Sequence, residues 1–559
     1  MTAVVNIGAC LPEVAARHPE RVAICQPEGR PRRGRVRYRR ITYRELDESS
    51  DLIARGLTAL GIGRGVRAAL MVPPGRHFFA LAFGMARAGV VPVIVDPGIG
   101  ASHLKRCLDE AGPEAFIGTP LAQAARLALG WGRSTIRASI TVGAPAIGPS
   151  LKTVLAAGRA ARQASTAPAL ADTRADDLAA ILFTSGSTGL PKGVVYTQAT
   201  FAAQVESLRR LAQVSPGEVD LPTFPPFALF DPALGMTTVV PLMDFTRPAE
   251  VVPERIVRAI LDEGVTNMFA SPALLATVAR WAVPRGVKLP SLRRVISAGA
   301  PVPARVVEAF SSLLGPGARM LMPYGATEAL PVTIIAADEV LGEARRRTEA
   351  GAGVCVGRPV EGVEVAIIPV VDTPIAAWDE GLRRPAGETG EIAVRGAVVT
   401  RRYWNREAAT TLAKIPAPPS PGQPDLWHRM GDVGYLDQQG RLWFCGRKSQ
   451  RVSLPDGRTL FTIPCEGVFA AHPHVRRTAL VGARAGGGVV PVLCVELEPE
   501  GKKRPRHQLT AELLALGARV ACTAPIRTVL FHPRFPVDIR HNAKIGREAL
   551  AVWASKQLS

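Results

Sequence analysis

The stretch FTSGSTGLPKG, residues 183–193, follows the apolar run Leu178–Phe183 and is rich in glycine and hydroxyl side chains. A strand that leads into a glycine-rich loop with one lysine suits a polyphosphate, because backbone N–H groups, hydroxyls and an ammonium group can surround the phosphate oxygens. We therefore predict that this loop binds a nucleoside triphosphate. The predicted contacts are Thr184, Ser185, Gly186, Ser187, Thr188, Gly189 and Lys192.

The loop is not a Walker A loop. That motif has the spacing G-x-x-x-x-G-K-[ST], whereas here Leu190 and Pro191 separate Gly189 from Lys192. A flexible Ser/Gly surface turn has a similar composition and is the alternative. The buried-type strand before the loop and its single lysine favour the phosphate site.

A second motif, Tyr324-Gly325-Ala326-Thr327-Glu328, follows the predicted strand Arg319–Met322. It would place an aromatic face, a hydroxyl and a carboxylate on one loop at the C-terminal edge of a sheet, where open α/β sheets bind ligands. Carboxylate oxygens are also what Mg²⁺ needs when it bridges phosphates. The alternative is an ordinary turn with a solvated glutamate.

Two further segments carry candidate ligand-binding residues. Gly299, Ala300 and Pro301 follow a predicted strand that ends at Ser297, and the glycine permits close backbone approach. The segment WHRMGD, residues 427–432, ends in Asp432, whose carboxylate can accept hydrogen bonds from both hydroxyls of a cis-diol. Asp432 and Arg447 would each more often be surface charges in isolation, so their assignment depends on the motifs around them.

In this order the motifs resemble the signatures of the acyl-adenylate-forming (ANL) superfamily, which contains acyl-CoA synthetases, peptide-synthetase adenylation domains and firefly luciferase. The resemblance covers essentially the whole chain and implies ATP and Mg²⁺ as cofactors. It implies that Tyr324 stacks on adenine, that Gly325 belongs to the ATP-binding residues, that residues 299–301 line the adenine pocket, and that Thr327 contacts the α-phosphate. It also implies that Glu328 holds Mg²⁺, that Asp432 binds the ribose hydroxyls, and that Arg447 faces the ribose or phosphates.

The segment PVDIRHNAKI, residues 536–545, loosely resembles the terminal motif of that superfamily, whose lysine enters the active site during acyl adenylation. A carboxylate that attacks an anionic α-phosphate meets repulsion, which a cation between them reduces. By this resemblance Lys544 is the predicted catalytic lysine, together with Thr327 and Glu328. A solvated lysine near the C-terminus is the alternative.

Alternation of apolar runs with helical patterns predicts an α/β fold with mostly parallel sheets flanked by helices and, beyond residue 350, a β-rich subdomain. Thr42 and Glu45 have the spacing of a helix capping box. Residues 144–175, rich in Ala, Pro, Gly and Ser, are predicted to be a surface connection. We predict a large domain over residues 1–446 and a small, mobile α+β C-terminal domain over residues 447–559, with a hinge at Gly446–Gln450.

The 559 residues carry a net charge of +20 and are 47% hydrophobic, which excludes a mainly disordered chain. No apolar run approaches the roughly 20 residues of a membrane span, and a soluble cytoplasmic protein is expected. Basic clusters such as Arg30–Arg40 raise nucleic-acid binding as an alternative, but only Tyr38 is interleaved with them, so no nucleic acid is expected. The scattered cysteines indicate neither a zinc site nor a disulfide framework.

Residues 221–235 (LPTFPPFALFDPALG), 324–332 (YGATEALPV) and 538–548 (DIRHNAKIGRE) are most similar to one branch of the superfamily, the β-lactone synthetases of bacterial olefin biosynthesis. This resemblance implies ATP-dependent activation of a 2-alkyl-3-hydroxyalkanoic acid, closure to a cis-β-lactone, and release of AMP and pyrophosphate. It also implies possible assembly with the other pathway enzymes, a reductase and a β-lactone decarboxylase. Candidate residues for an apolar acyl pocket are Phe224, Phe227, Leu229, Phe230, Phe269, Ala329 and Leu330, although such stretches are more often plain core.

Several positions depart from the superfamily pattern and put an ordinary CoA step in doubt. Gln198 and Pro225 stand where histidines are common, Ser449 stands at the hinge position, and Ala543 replaces a glycine. No general base for lactone closure is identifiable, and His428 and His541 are the polar candidates nearest the motifs. A long-chain fatty acyl-CoA or acyl-AMP ligase, which would share every predicted ATP residue, is the first rival.

Overall fold

The computed structural model describes residues 5–32, 35–184, 191–419, 423–486, 488–537 and 545–558. Its strands, in chain order, are β1 (Val22–Arg32), β2 (Arg35–Thr42), β3 (Arg67–Met71), β4 (Val91–Ile94), β5 (Ala115–Gly118), β6 (Ala138–Thr141), β7 (Leu178–Phe183), β8 (Gly193–Thr197), β9 (Val219–Pro222), β10 (Thr237–Val239), β11 (Asn267–Ala270), β12 (Arg294–Ser297), β13 (Arg319–Ala326), β14 (Ala329–Ala336), β15 (Val354–Pro359), β16 (Val363–Ile368), β17 (Gly390–Gly396), β18 (Lys414–Pro416), β19 (Leu426–Leu436), β20 (Leu442–Arg447), β21 (Val452–Ser453), β22 (Thr459–Leu460), β23 (Val475–Ala485), β24 (Gly488–Leu497) and β25 (Thr528–Phe531).

The α-helices pack mainly on the faces of these sheets. They are α1 (Cys10–Arg17), α2 (Tyr43–Ala59), α3 (Arg76–Arg87), α4 (Ala101–Ala111), α5 (Pro120–Leu129), α6 (Leu151–Ala164), α7 (Gln198–Ala212), α8 (Pro225–Ala228), α9 (Phe230–Leu234), α10 (Pro253–Asp262), α11 (Pro272–Ala282), α12 (Ala304–Ser311), α13 (Ala337–Glu339), α14 (Arg345–Glu349), α15 (Glu407–Ala413), α16 (Thr462–Ala470), α17 (Arg506–Ala518) and α18 (Arg547–Leu558). Within the described ranges, every helix is too short or too polar to cross a bilayer.

One sheet has the order β6-β5-β3-β4-β7-β8, in which all neighbours are parallel except the antiparallel pair β7 and β8. The predicted phosphate loop therefore connects two adjacent strands. Its neck is closed by Thr184, whose N–H donates to Lys192 O at 3.0 Å and whose Oγ1 accepts from Lys192 N at 3.2 Å. The described ends of the loop are thus fixed to the edge of the sheet.

The larger sheet has the order β16-β17-β19-β20-β15-β14-β13-β12-β11-β9-β10-β1-β2, with β18 paired to β19. From β10 to β13 the neighbouring strands are parallel, and from β13 through β20 to β16 they are antiparallel. The predicted α/β fold with a β-rich subdomain is confirmed, and the two parts share one continuous sheet.

Residues beyond β20 form their own layers. Strands β23, β24 and β25 make one sheet and β21 pairs with β22. Two hydrophobic clusters, around Phe469 and around Phe535, contain only residues from this part of the chain. The segment between them and β20 is the short 3-10 turn Lys448–Gln450.

Helix α2 begins where the sequence predicts, since Thr42 and Glu45 make both hydrogen bonds of the capping box. The prediction for residues 144–175 was wrong, because α6 lies there and begins with a second capping box at Ser150. Gly158 of α6 packs so closely on α2 that a Cβ at this position would lie 1.9 Å from Leu52 O. The glycine that suggested a loop instead permits helix contact.

Candidate nucleotide-binding active site

The Thr327–Glu328 turn lies between β13 and β14. Strand β13 continues past the predicted end at Met322 to Ala326, which pairs with Ala329, so Thr327 and Glu328 are the two turn residues. A Cβ on Gly325 would lie 2.6 Å from Ala329 O, which explains the glycine in this tight hairpin. The sequence predicted one loop after the strand, whereas Tyr324, Gly325 and Ala326 belong to β13 and only Thr327 and Glu328 form the hairpin turn.

Asp432 is the centre of a three-residue cluster. Antiparallel pairing of β19 and β20 puts Asp432 opposite Arg447, with Arg447 Nη1 and Asp432 Oδ1 3.0 Å apart. Tyr324 donates its hydroxyl to Asp432 Oδ2 at 2.7 Å. Burial and the adjacent carboxylate raise the pKa of Tyr324 well above its usual value, and the charge of Asp432 raises the pKa of Arg447. Tyr324 is therefore neutral and Arg447 cationic at physiological pH.

Glu328 and Lys192 meet at Tyr403. The Tyr403 hydroxyl donates to Glu328 Oε1 at 2.7 Å, and Lys192 Nζ lies 4.8 Å from the centre of the Tyr403 ring. Burial is the main reason that the pKa of Tyr403 is raised, and the charge of Glu328 adds to it. This tyrosine links the predicted phosphate loop to the predicted magnesium ligand.

The turn is also held from below through its backbone. Tyr196 donates its hydroxyl to Thr327 O at 2.5 Å, and Gln204 Nε2 donates to Leu330 O at 3.2 Å. Thr400 donates both its N–H, at 2.9 Å, and its Oγ1, at 3.0 Å, to Glu328 O. These contacts fix the backbone positions of Thr327 and Glu328, from which the hydroxyl and the carboxylate extend.

Gly299, Ala300 and Pro301 follow β12, the strand beside β13. Gly299 has a φ of 96°, which favours glycine, and the segment leaves the sheet on the same edge as Tyr324. The backbone can therefore pass close to a planar ligand that lies against the Tyr324 side chain.

Four of the predicted pocket residues form one aromatic cluster. Phe227 stacks on Phe269 with centroids 4.2 Å apart, and its ring centre lies 5.6 Å from that of Phe224 and 6.2 Å from that of Phe230. Leu229 packs against the core cluster around Phe79. Ala329 begins β14 and is fully buried in a different core cluster, and Leu330 follows it in the same strand.

Some predicted residues lie outside the described ranges. They are Ser185, Gly186, Ser187, Thr188, Gly189, His541, Ala543 and Lys544. Their roles stay predictions. Of the departures that are described, Gln198 accepts a hydrogen bond from Ile7 N at 2.9 Å, Pro225 begins α8, and Ser449 lies in the turn after β20.

Three residues at this site were not predicted from the motifs. Tyr403 and Thr400 contact Glu328, and Lys414 contacts Thr400. Lys414 is only 7% exposed and its Nζ donates to Thr400 O. Nothing in the local sequence marks any of them, because each reaches the site only through strand pairing and packing. His428, a candidate base, is 2% exposed and pairs with Lys414 across strands β18 and β19.

Comparison with known proteins agrees with this geometry. Residues 11–404 match the family model described as AMP-binding enzyme. The chain is 51% identical, over 100% of its length and 99% of the relative, to the olefin beta-lactone synthetase of Xanthomonas campestris pv. campestris. It is also 51% identical, over 99% of its length and 98% of the relative, to that of Stenotrophomonas maltophilia.

A similar fold occurs in the crystal structure of ATP-bound MatB from Rhodopseudomonas palustris, with a TM-score of 0.79, 22% identity and 100% of both chains covered. At that identity the likeness concerns the fold alone. The family match covers well over half of the chain, and two relatives share half of its residues along its full length. This chain belongs to the family of AMP-binding enzymes.

Proposed function

We propose that the protein uses ATP to activate a 2-alkyl-3-hydroxyalkanoic acid as acyl-AMP and then closes it to a cis-β-lactone, with release of AMP and pyrophosphate. The observation that carries this proposal is the 51% identity to two olefin beta-lactone synthetases over the whole chain. The cluster of Tyr324, Asp432 and Arg447 beside the Thr327–Glu328 turn supports it, because it supplies the groups that a nucleotide needs.

In the first step a carboxylate oxygen of the acid attacks the α-phosphorus of ATP, and the bond to pyrophosphate breaks. We assign Thr327 to the α-phosphate and Lys192 to the outer phosphates. We assign Lys544 to the cationic position between the attacking carboxylate and the phosphate. Asp432 binds the ribose hydroxyls, Arg447 stays beside it, and Tyr324 with residues 299–301 binds the adenine.

Glu328 fits a magnesium ion, because its carboxylate starts at the fixed hairpin tip and oxygen ligands are those that Mg²⁺ prefers. A bound Mg²⁺ would neutralise charge on the phosphates. The hydrogen bond from Tyr403 to Oε1 orients the carboxylate.

In the second step the substrate's own 3-hydroxyl oxygen attacks the acyl carbon, the bond between that carbon and the phosphate oxygen breaks, AMP leaves, and the hydroxyl proton is released to solvent. An internal nucleophile needs no CoA, and holding it in place can be worth about 7 to 11 kcal/mol of effective molarity. We place the alkyl chains against the aromatic cluster of Phe224, Phe227, Phe230 and Phe269, whose rings are already packed together.

We further propose that residues 447–559 act as a small domain that carries Lys544 to the site. Its separate sheet and cores support this division. A location in the cytoplasm, where ATP is made available, and an assembly with the reductase and lactone decarboxylase of the same pathway belong to the proposal. Affinity purification of the tagged chain from its host tests the assembly.

The decisive experiment incubates the enzyme with a racemic 2-alkyl-3-hydroxy acid, ATP and Mg²⁺ in the absence of CoA. We expect a cis-β-lactone and AMP in equal amounts, measured by NMR and chromatography. The matched acid without the 3-hydroxyl should form acyl-AMP, which hydroxylamine traps, but no lactone. Turnover that strictly needs CoA would instead establish the rival acyl-CoA ligase.

A basic nucleic-acid-binding protein with an inactive ligase fold is the rival from another class. Against it, arginines of this chain form ion pairs with its own glutamates, as Arg40 does with Glu263 at 3.0 Å and Arg504 with Glu512 at 2.7 Å. Absence of AMP release with every acid tried, together with DNA binding that weakens as the salt concentration rises, would favour that rival.

A further inference from the structure

Lys414 is a buried amine next to the proposed ATP site. Its side chain is 7% exposed, on the short strand β18, and its Nζ donates to the backbone oxygen of Thr400. A buried ammonium group is costly unless opposite charge compensates it. Lys414 therefore needs a physical reason to be there.

The contact of Lys414 leads directly to the Thr327–Glu328 turn. Thr400 accepts the Lys414 hydrogen bond with its carbonyl and donates its N–H and Oγ1 to Glu328 O. Thr400 is itself 1% exposed. Lys414 thus holds Thr400, and Thr400 holds the backbone of Glu328, the proposed magnesium ligand.

The surrounding charges are mixed. Burial lowers the pKa of Lys414 to about 7, the nearby Glu328 carboxylate opposes this shift, and Arg401 adds to it. The facing histidine of β19, His428, is neutral, because burial and then the charge of Lys414 lower its pKa well below the usual value. Its Nδ1 is engaged with Ala413 O at 3.2 Å.

We propose that Lys414 is a positioning residue of the triphosphate site: as a buried positive charge behind the Thr327–Glu328 turn, acting through Thr400, it favours the binding of magnesium and triphosphate. The inference rests on the proposed use of ATP. The negative charge of the bound phosphates compensates the ammonium group, so that the amine takes up a proton when ATP binds.

The first test replaces Lys414 by methionine, which has similar length and no charge. Lys414→Met should raise the KM for ATP in pyrophosphate exchange by roughly tenfold or more with a smaller effect on kcat, since binding rather than chemistry is impaired. Lys414→Arg, which keeps the charge, should recover part of the affinity. The control is Lys288→Met, which removes an exposed lysine that also donates to a backbone carbonyl, Ser312 O at 2.7 Å.

The second test measures protons directly. At pH 8, calorimetric binding of ATP and Mg²⁺ without acid substrate, repeated in buffers of different ionisation enthalpy, should show net proton uptake by the wild type and by Lys288→Met. Lys414→Met should abolish that uptake. A purely structural lysine would leave it unchanged.

The outcomes are separable. Absence of proton uptake in the wild type, or an unchanged KM in Lys414→Met, overturns the inference while the proposed function stands. Absence of any pyrophosphate exchange in the wild type, with any hydroxy acid, overturns the proposed function itself. If Lys414→Met does not fold, the wild-type proton measurement still decides.

Discussion

Asp432 illustrates how strand pairing builds the site at the scale of single residues. It is 3% exposed, it lies opposite Arg447 on the neighbouring strand, and it accepts the hydroxyl of Tyr324, which belongs to a strand elsewhere in the same sheet. A carboxylate so placed offers oxygens to a pair of sugar hydroxyls while a fixed arginine balances its charge.

Asp432→Asn should raise the KM for ATP in pyrophosphate exchange by about 10- to 100-fold, because a charged acceptor is replaced by a neutral amide. Tyr324→Phe is the matched variant, since it removes only the partner hydroxyl and keeps the ring. We expect it to cost no more than about fivefold. Equal losses in both variants would show that the Tyr324 hydroxyl, rather than a ribose contact, explains the role of Asp432.

The lowered pKa of Lys414 also predicts how stability changes with pH. Between about pH 7 and 10 Lys414 is protonated in the unfolded chain and largely deprotonated in the folded protein. Since the unfolded state then binds more protons, the free energy of unfolding increases as the pH rises through this window. The difference in unfolding free energy, wild type minus Lys414→Met, should therefore increase from pH 7 to pH 9 in urea titrations. A difference that stays flat or falls would contradict the shifted pKa.

The motifs predicted which residues would be candidates, but they could not predict how those residues meet. Tyr324, Asp432 and Arg447 stood in recognisable order along the chain, and the structure brings them into contact. Tyr403 and Lys414 had no such signal. A lysine before a proline-rich loop is normally solvated, but the pairing of β18 with β19 and the contact with Thr400 O lie outside the local sequence.

At the scale of elements, the contact between α2 and α6 depends on two glycines. A Cβ at Gly56 would lie 2.0 Å from Val154 O, and one at Gly158 would lie 1.9 Å from Leu52 O. The backbones of the two helices therefore touch directly. Alternation of apolar runs predicts most strands and helices but not α6, because glycine and alanine are common both in loops and on closely packed helix faces.

Gly158→Ala should lower the midpoint of urea unfolding, with a loss of about 1 to 3 kcal/mol or more, because the added methyl forces the helices apart. Gly63→Ala is the control, since its added Cβ would meet nothing within 4 Å. Activity of the surviving folded fraction should be unchanged in both variants. A harmless Gly158→Ala would show that the helices can separate freely.

At the scale of the whole molecule, the C-terminal part contacts the rest by close packing and by polar contacts. A Cβ on Gly467 of α16 would lie 2.7 Å from Thr348 O, and one on Gly351 would lie 2.9 Å from Cys522 Sγ. Arg305 donates to Arg476 O at 2.7 Å, and near the proposed hinge Lys448 Nζ lies 3.2 Å from Glu391 and Arg451 Nη2 lies 2.7 Å from Asp372. The Arg451–Asp372 pair is partly exposed and can exchange with water at low cost, whereas the Lys448–Glu391 pair is buried and must be broken or carried along if the domain rotates. The proposed rotation of residues 447–559 would therefore have to separate α16 from β20 and α14.

Lys544→Ala should cut acyl-AMP formation by orders of magnitude and leave ATP binding largely intact, because the proposed lysine acts on the attacking carboxylate and α-phosphate in the transition state. Adenylation is measured by hydroxylamine trapping and ATP affinity by calorimetry. Lys556→Ala, on the last helix α18, is the control. Equal loss of ATP affinity would contradict the assigned role.

Because β11, β12 and β13 are hydrogen-bonded neighbours in the large sheet, the distance between the residues at their ends is fixed. Phe269 on β11 and Leu321 on β13 pair with the same residue of β12, so the two strands that carry the proposed acyl pocket and the proposed adenine contact are two strand spacings, about 10 Å, apart. The spacing between these strands is set by backbone hydrogen bonds, so we do not expect it to change when a longer acid binds. If the phenylalanine cluster is the acyl pocket, as we propose, its rings set which alkyl chains fit. We then expect Phe227→Ala to widen the range of accepted lipids and to leave the KM for ATP unchanged.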